Sequence, residues 1–461
     1  MKKVLCLALA LLLMLGTMGT ALAEEGASGS SPEAEWDRLE KEGIVRTENG
    51  QSLVDIFVPA MYLAGVEITQ ESLDADAGQD YTYGVLGDDG SVTYSMTKEQ
   101  YISMLNEVIS GFNEVTEGMI ADPGYAFTKV EHNKDFTQID AYVSTQELRL
   151  NESYCAQSFY SFALTYNMYA CRELERFIVN YYGPDGTLLD TVDSALMTGS
   201  QVDLASYQLK EADYPETVLV DNEYCKLTIT SIEANDGALF TLNAVLENKS
   251  DKNITFSFQN GSVNGYMINP GWVASMAAGQ TSEASIGFSK GDIKMTGADE
   301  VTEIKTSLIG FDSDTLADQY VDEPVVIYPM GEANVKRYPR EDQPTDKVVF
   351  DNDKCRMVVY DSGMDIALGY TLSVYMENKT EDCKLAFLTN GCSVNGIEMS
   401  PTWAQSINAG CNAYSKIFWL GNPFQENGID KVEKVDIQIR SYNMTDVTAK
   451  PDVDDTFTIE P

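Results

Sequence analysis

Few residues of this 461-residue chain are equipped to make or break bonds. There is one histidine, His132, set between Glu131 and Asn133. A lone imidazole cannot build a histidine-rich metal site, and any Ser-His-Asp triad would have to be built on it. No Gly-x-Ser-x-Gly elbow, glycine-rich phosphate loop or HExxH stretch is present. His132 is therefore expected at a strand end or on the surface. The 72 Asp and Glu residues could supply a carboxyl pair for glycosidic hydrolysis, since two acids at the right separation suffice. With that many acids some pair always fits, so none is singled out. Asp312, Asp314, Asp318 and Glu323 stand at EF-hand-like offsets, but Leu316 and Ala317 replace the fifth-position ligand and the turn glycine. A solvated loop is expected there. The sequence thus nominates no catalytic residue, no metal ligands and no cofactor.

Two tryptophans are more informative. Trp272 follows Pro270 and Trp403 follows Pro401, each by two residues and each in an expected loop. A loop tryptophan can stack on a sugar or anchor a protein partner, which makes Trp272 and Trp403 the candidate binding residues. The competing expectation is that each indole plugs the end of its domain. Trp419 aligns with Phe288 in an alternating strand and is expected in the core.

These tryptophans belong to a motif spelled twice. Val263-Asn264-Gly265, Pro270, Trp272 and Ala278-Gly279 recur in order as Val394-Asn395-Gly396, Pro401, Trp403 and Ala409-Gly410. The match extends to Asp221-Asn222, Cys225 and Glu247-Asn248-Lys249 against Asp351-Asn352, Cys355 and Glu377-Asn378-Lys379. Two copies this similar must fold alike. In each, short alternating strands are separated by Asn-Gly and Ala-Gly turns, the signature of a β-sandwich of roughly 110 residues.

Before the repeats the pattern is mixed. A strand over 53–58 and a hairpin over 81–96, turned at Gly87 to Gly90, lead into a helix opened by a capping box of Thr97 and Gln100. Its apolar stripe runs through Tyr101, Met104, Leu105, Val108 and Phe112. Strands over 125–130 and 136–143, a second helix capped by Asn151 and a hairpin over 177–192 follow. This predicts an α+β domain, with a small, mainly antiparallel sheet covered by two helices.

The N-terminus reads as a signal peptide: Lys2 and Lys3, an apolar run from Val4 to Leu15, then Ala21-Leu22-Ala23. No later stretch reaches the roughly 20 apolar residues of a spanning helix, so no membrane insertion is expected after cleavage. The formal net charge of −41 repels phosphate backbones and anionic lipids, which excludes nucleic acid as a partner. Seven cysteines follow the signal, without any CxxC spacing. Cys225 and Cys355 are expected as buried strand residues, and one disulfide among Cys383, Cys392 and Cys411 is left open.

The expected organisation is multidomain: signal peptide 1–23, flexible leader 24–50, α+β domain 51–193, linker 194–216, β-sandwich repeat 217–329, short stiff linker 330–346 and β-sandwich repeat 347–461. The Val-Asn-Gly and Ala-Gly turns and the closing strand from Gly428 to Ile437 resemble immunoglobulin-like modules in exported proteins of Gram-positive gut anaerobes. The run from Asp89 to Lys98 is similar to an N-terminal module that accompanies them. The resemblance implies export and tandem all-β immunoglobulin-like sandwiches, and transfers no catalytic residue. Many such relatives are lipoproteins, whereas Cys6 here lies early in the apolar run rather than just after it.

Three functions stay open at this level. The first is a non-catalytic secreted or cell-surface protein that binds a protein or glycan through its tandem modules. The second is a carboxylate-based hydrolase in the N-terminal domain with accessory sandwiches, and the third is a set of structural spacers. Exposure of Trp272 and Trp403 would favour binding, and their burial would favour spacing.

Overall fold

The computed structural model describes residues 31–63, 68–87, 89–194, 207–235, 238–365, 368–419 and 423–461. The signal peptide, Asp88 of the Gly87 to Gly90 turn and residues 195–206 of the expected linker lie outside them. The chain forms two compact units, Met1–Ser194 and Ala195–Pro461, both rich in strand.

Among the described residues the N-terminal unit holds two four-stranded sheets rather than the single small sheet expected from the sequence. The first, in order β1-β2-β4-β3, comprises β1 (Arg46–Glu48), β2 (Gln51–Val58), β3 (Tyr83–Leu86) and β4 (Val92–Met96). The second runs β5 (Phe127–His132), β6 (Gln138–Val143), β7 (Ile178–Tyr182) and β8 (Leu188–Asp193). β6 and β7 are parallel, with Gln138 opposite Ile178. Parallel neighbours need a crossover, and a helix over Leu150–Tyr169 supplies it. Local alternation carries no signal for that pairing; the other pairings in both sheets are antiparallel, in line with the mainly antiparallel expectation.

Four helices pack with these sheets: α1 (Pro32–Lys41), α2 (Gln70–Asp76), α3 (Lys98–Ala121) and the crossover helix α4. Thr97 and Gln100 form the anticipated capping box of α3, whose stripe of Tyr101, Leu105 and Phe112 is buried. The start of α4 differs from expectation. Its N-cap is Arg149, not Asn151, and Arg149 pairs with the fully buried Glu152, which also accepts the Ala126 N–H at 2.6 Å. The leader also needs correction from Ser31 onward. Ser31 caps α1, Pro32 starts it, and Trp36 and Leu39 are buried, the indole 5.7 Å from the ring of Tyr101. Two apolar anchors suffice to dock a helix whose other residues are mostly polar.

In the second unit one succession of elements occurs twice. The first copy is β9 (Thr217–Asp221), β10 (Cys225–Glu233), β11 (Leu239–Asn248), β12 (Ile254–Val263), β13 (Tyr266–Met267), β14 (Val273–Met276), β15 (Thr281–Ser289), α5 (Lys290–Met295), β16 (Ile304–Asp312) and β17 (Gln319–Ile327). The second is β18 (Lys347–Asp351), β19 (Cys355–Asp365), β20 (Gly369–Asn378), β21 (Leu385–Val394), β22 (Ile397–Glu398), β23 (Ala404–Ile407), β24 (Asn412–Phe418), α6 (Pro423–Glu426), β25 (Val435–Asn443) and β26 (Asp454–Ile459). Each copy is sandwich-like. In the first, Leu227, Ile229 and Leu242 of the sheet β15-β11-β10-β9 share a core with Ile254, Phe256 and Leu308 of the other sheet.

The copies are fused through a strand pair. β13 runs parallel to β24, with Tyr266 opposite Asn412 and the Asn412 N–H donated to the Gly265 carbonyl at 2.8 Å. One nine-stranded sheet, β17-β16-β12-β13-β24-β20-β19-β18 with β14 beside β12, therefore crosses from the first copy into the second.

The two segments expected as linkers are bound to the repeats. Leu209 is buried, and its N–H and C=O both bond the Asn235 side chain, at 2.8 and 2.7 Å. Within 330–346, Arg337 pairs with Glu303 at 2.7 Å, the Tyr338 hydroxyl bonds Asp299 at 2.7 Å, and Arg340 forks onto Asp346 at 2.6 and 2.7 Å. The Arg340 guanidinium also lies 5.3 Å from the ring centre of Tyr375. Polar composition suggested spacers, but these polar groups are spent on internal partners.

The duplicated asparagines act as brackets. Asn264 adopts φ 51°, accepts from the Thr302 and Glu303 N–H groups and donates to the Glu300 carbonyl. Asn395, at φ 50°, repeats this with Glu433, Lys434 and Lys431. Asn248 and Asn378 likewise each tie a turn to a distant strand. Asparagine tolerates the left-handed conformation and carries both donor and acceptor, so these positions are fixed by folding.

Candidate functional site

Loops before the two tryptophans are pinned by isolated bridges, Gly271 to Gly287 and Thr402 to Phe418. Trp403 is consequently buried, 9% exposed, with its indole N–H donated to the Ser415 hydroxyl at 3.0 Å. The expectation of a presented ring fails there, because both the ring and its polar handle are already used. Trp272 is half-buried, with its ring 5.4 Å from that of Phe258. The repeats therefore do not offer a matched pair of platforms. Trp419 is in the core.

His132 is part of an aromatic cluster. Its ring stacks on Phe136 at 3.7 Å between centroids, meets the Phe112 ring edge-on at 5.3 Å, and its Nδ1 lies 2.8 Å from the Asn133 carbonyl. Burial pushes its pKa below the usual imidazole value. Asp312 spends its carboxylate on its own turn, accepting from the Asp314 and Thr315 N–H groups at 3.1 and 3.0 Å. Among the described residues no group of three or more His, Cys, Asp or Glu is placed to hold a metal ion. Cys155, Cys171, Cys225, Cys355, Cys383, Cys392 and Cys411 are all free thiols.

The strongest site lies elsewhere, in the N-terminal unit. A cavity of about 650 Å³ opens between β2, the 3-10 turn Ala60–Leu63 and the end of α4 with the residues that follow it. Phe57, Val58, Leu164, Met168 and Leu174 give it an apolar wall. Ile44, Phe57 and Tyr62 also line it, and they are 39%, 54% and 37% exposed, so large apolar surface faces water at its mouth. Exposed apolar area gathered at a concavity marks a binding site more often than apolar residues scattered singly.

Two of the three charged residues that line the cavity, Asp55 and Arg172, are ion-paired, and the third, Glu173, is exposed. Asp55 is held by Arg46 at 2.7 and 2.9 Å and by the Ser95 hydroxyl at 2.6 Å, and the guanidinium keeps its carboxyl below the ordinary range. Arg172 forks onto Glu35 at 2.8 and 2.9 Å and also pairs with Asp135. Burial pushes the Cys171 thiol up to about 11, so it stays protonated at neutral pH. A general acid for glycoside hydrolysis needs a raised carboxyl, the opposite of what Arg46 imposes on Asp55. The arrangement can hold an apolar group and is poorly suited to moving a proton.

This site was not found from the sequence. Its walls come mainly from residues 44–63 and 164–174, with Tyr94 between them, and these share no motif. One signal was present: Leu53 to Val58 breaks alternation, with Phe57 on the same sheet face as Asp55.

No protein-family model matches the chain, and a search of curated proteins finds no match. Among solved structures the YadV chaperone is similar at 10% identity, over 48% of this chain and 92% of that one, with a TM-score of 0.16. The SafB chaperone complex with Salmonella enterica SafA pilin aligns at 10% identity, over 52% and 98%, with a TM-score of 0.15. The receptor tyrosine kinase Torso aligns at 6% identity, over 57% and 79%, with a TM-score of 0.13. TM-scores this low carry no function across. No helix among the described residues is long and apolar enough to cross a membrane.

Proposed function

We propose that this chain is an exported, non-catalytic binding protein that takes an apolar group of its partner into the Phe57 cavity, with its immunoglobulin-like repeats as a rigid carrier. The cavity carries this reading: an apolar hollow of about 650 Å³ whose mouth exposes Ile44, Phe57 and Tyr62. Of the two partner classes considered for the cell surface, a protein suits it better than a glycan. A sugar asks for a free ring face beside several unspent polar groups, whereas Asp55 and Arg172 at this cavity are already paired and the wall is largely apolar.

Titration of the full chain with the uncharged dye Nile red tests the reading. Saturable fluorescence enhancement is expected, weakened at least about tenfold by Met168→Glu or Phe57→Asp, since a buried charge must be desolvated. Thermal melts report whether each variant is folded. Equal dye binding by wild type and folded variants would overturn the proposal.

A further inference from the structure

The cavity runs beside an unfinished sheet edge. In the first sheet of the N-terminal unit, β4 lies between β3 and β2. The Ser91 carbonyl accepts from Gly87 and the Ser95 carbonyl from Thr82, both at 2.8 Å, so residues 91, 93 and 95 turn their peptide groups toward β3. By the alternation of an antiparallel ladder, Val92, Tyr94 and Met96 bond Val58, Ile56 and Val54 of β2. Asp55 and Phe57 must then point their N–H and C=O groups to the opposite side. The hairpin of β1 and β2 has the same phase, because its pairs Glu48 with Gln51 and Arg46 with Leu53 fall on odd-numbered residues of β2.

β1 ends at Arg46, so it covers β2 only as far as Leu53. The preceding Ile44 and Val45 N–H groups turn away to the Leu39 carbonyl. Beyond Leu53, no backbone hydrogen bond from the described residues reaches the Asp55 N–H or the N–H and C=O of Phe57, and among those residues the Asp55 carbonyl meets only the weak Cys171 thiol donor at 3.9 Å. Asp55, Phe57 and Cys171 all line the cavity. Tyr94 lines it too, 1% exposed, with a hydroxyl that finds no hydrogen-bond partner among the described residues.

Resting on the apolar-cavity reading above, we infer that the occupant is an extended peptide segment that adds a strand along Asp55 to Val58 and seats an apolar side chain in the cavity. A strand partner uses the unpaired peptide groups and the apolar hollow together, because alternate side chains of an added strand face one side. The open stretch is short, so only a few residues of the peptide pair with it. Charge selects among strands: the chain carries −41, which repels a second copy and favours a neutral or basic segment.

The experiment uses the full chain and a library of blocked, fluorescein-labelled hexapeptides with lysine at both ends and Leu, Phe, Val or Thr at the inner positions. Binders are expected, and they should displace Nile red. In the best binder, N-methylation of amides on one alternating set should weaken binding at least about tenfold, and methylation of the other set should not. Phe57→Pro removes the outward N–H, leaves the Ile56 and Val58 bonds to β4 in place, and should bind at least about tenfold more weakly than Phe57→Ala. Dye binding without any peptide binder overturns the strand inference and leaves the cavity reading standing, whereas loss of both removes both. Binding that is indifferent to methylation, or equal in the two Phe57 variants, also overturns it. So does concentration-dependent dimerisation in sedimentation that Phe57→Pro abolishes, which would give the edge to a second copy.

Discussion

Tyr266 of the first repeat lies flat against Tyr414 of the second, with ring centroids 5.8 Å apart and planes 6° from parallel. The Tyr266 hydroxyl reaches past this contact to the Tyr338 carbonyl at 2.6 Å, so one side chain ties together both repeats and the segment between them. Offset-stacked tyrosines with a satisfied hydroxyl give up little on burial and gain contact area on both sides.

Replacing Tyr266 with alanine should cost about 3–5 kcal/mol, the range for deleting a buried aromatic. Because the lost contacts lie between the repeats, their unfolding should also uncouple. Scanning calorimetry is expected to resolve separate transitions for the two repeats in the variant where the wild type unfolds them together. An unchanged single transition would show that the joint is held by other contacts.

Asp346 offers a pH-dependent test. Its side chain is 4% exposed and forked by Arg340, which lowers its carboxyl pKa below the ordinary value. A depressed folded pKa means stabilisation that is complete above the unfolded value of about 4 and lost as pH falls through the folded one. Asp346→Asn should destabilise by about 1–3 kcal/mol at neutral pH, since Arg340 loses its bidentate partner and keeps only Asp342 at 3.7 Å. Below pH about 4 the gap between variant and wild type in urea unfolding should narrow.

Cys171 connects chemistry to the proposed site. It is the one half-buried thiol among the described cysteines, it lines the cavity, and burial raises its pKa to about 11. Native protein should react slowly with a disulfide reagent at Cys171 alone, faster as pH rises toward that value. Saturating Nile red should slow the reaction further, and peptide mapping locates the label. Rapid labelling at Cys225 or Cys355, whose sulfurs are fully buried, would contradict the packing.

Legibility followed how local the cause was. α3 could be drawn from sequence because its cap, Thr97 with Gln100, and its stripe lie within one element. The duplicated strands were legible through repeated Val-Asn-Gly and Ala-Gly turns, whose asparagines fix a left-handed residue. α1 was missed because only Trp36 and Leu39 mark its buried face in a polar segment. The parallel pairing of β6 with β7 and the β13 to β24 bridge depend on contacts distant in sequence, which alternation does not encode. Trp403 was nominated for its type and place, and its burial is decided by Ser415 and a bridge to Phe418. The cavity stayed invisible for the same reason, since its two walls are separated by a hundred residues of intervening fold.

The β13 to β24 joint is head-to-tail: it uses one end of the first repeat and a different edge of the second. A contact of that kind leaves a free half at each end, and identical copies would continue it into a ring or a filament. The unused halves of the joint are written differently in the two copies. Where the second repeat places Tyr414 opposite Tyr375, the first places Glu283 opposite Val245. Where the first places Tyr266 opposite Val263, the second places Ile397 opposite Val394. Divergence at these few positions distinguishes the two edges that join from their counterparts that do not.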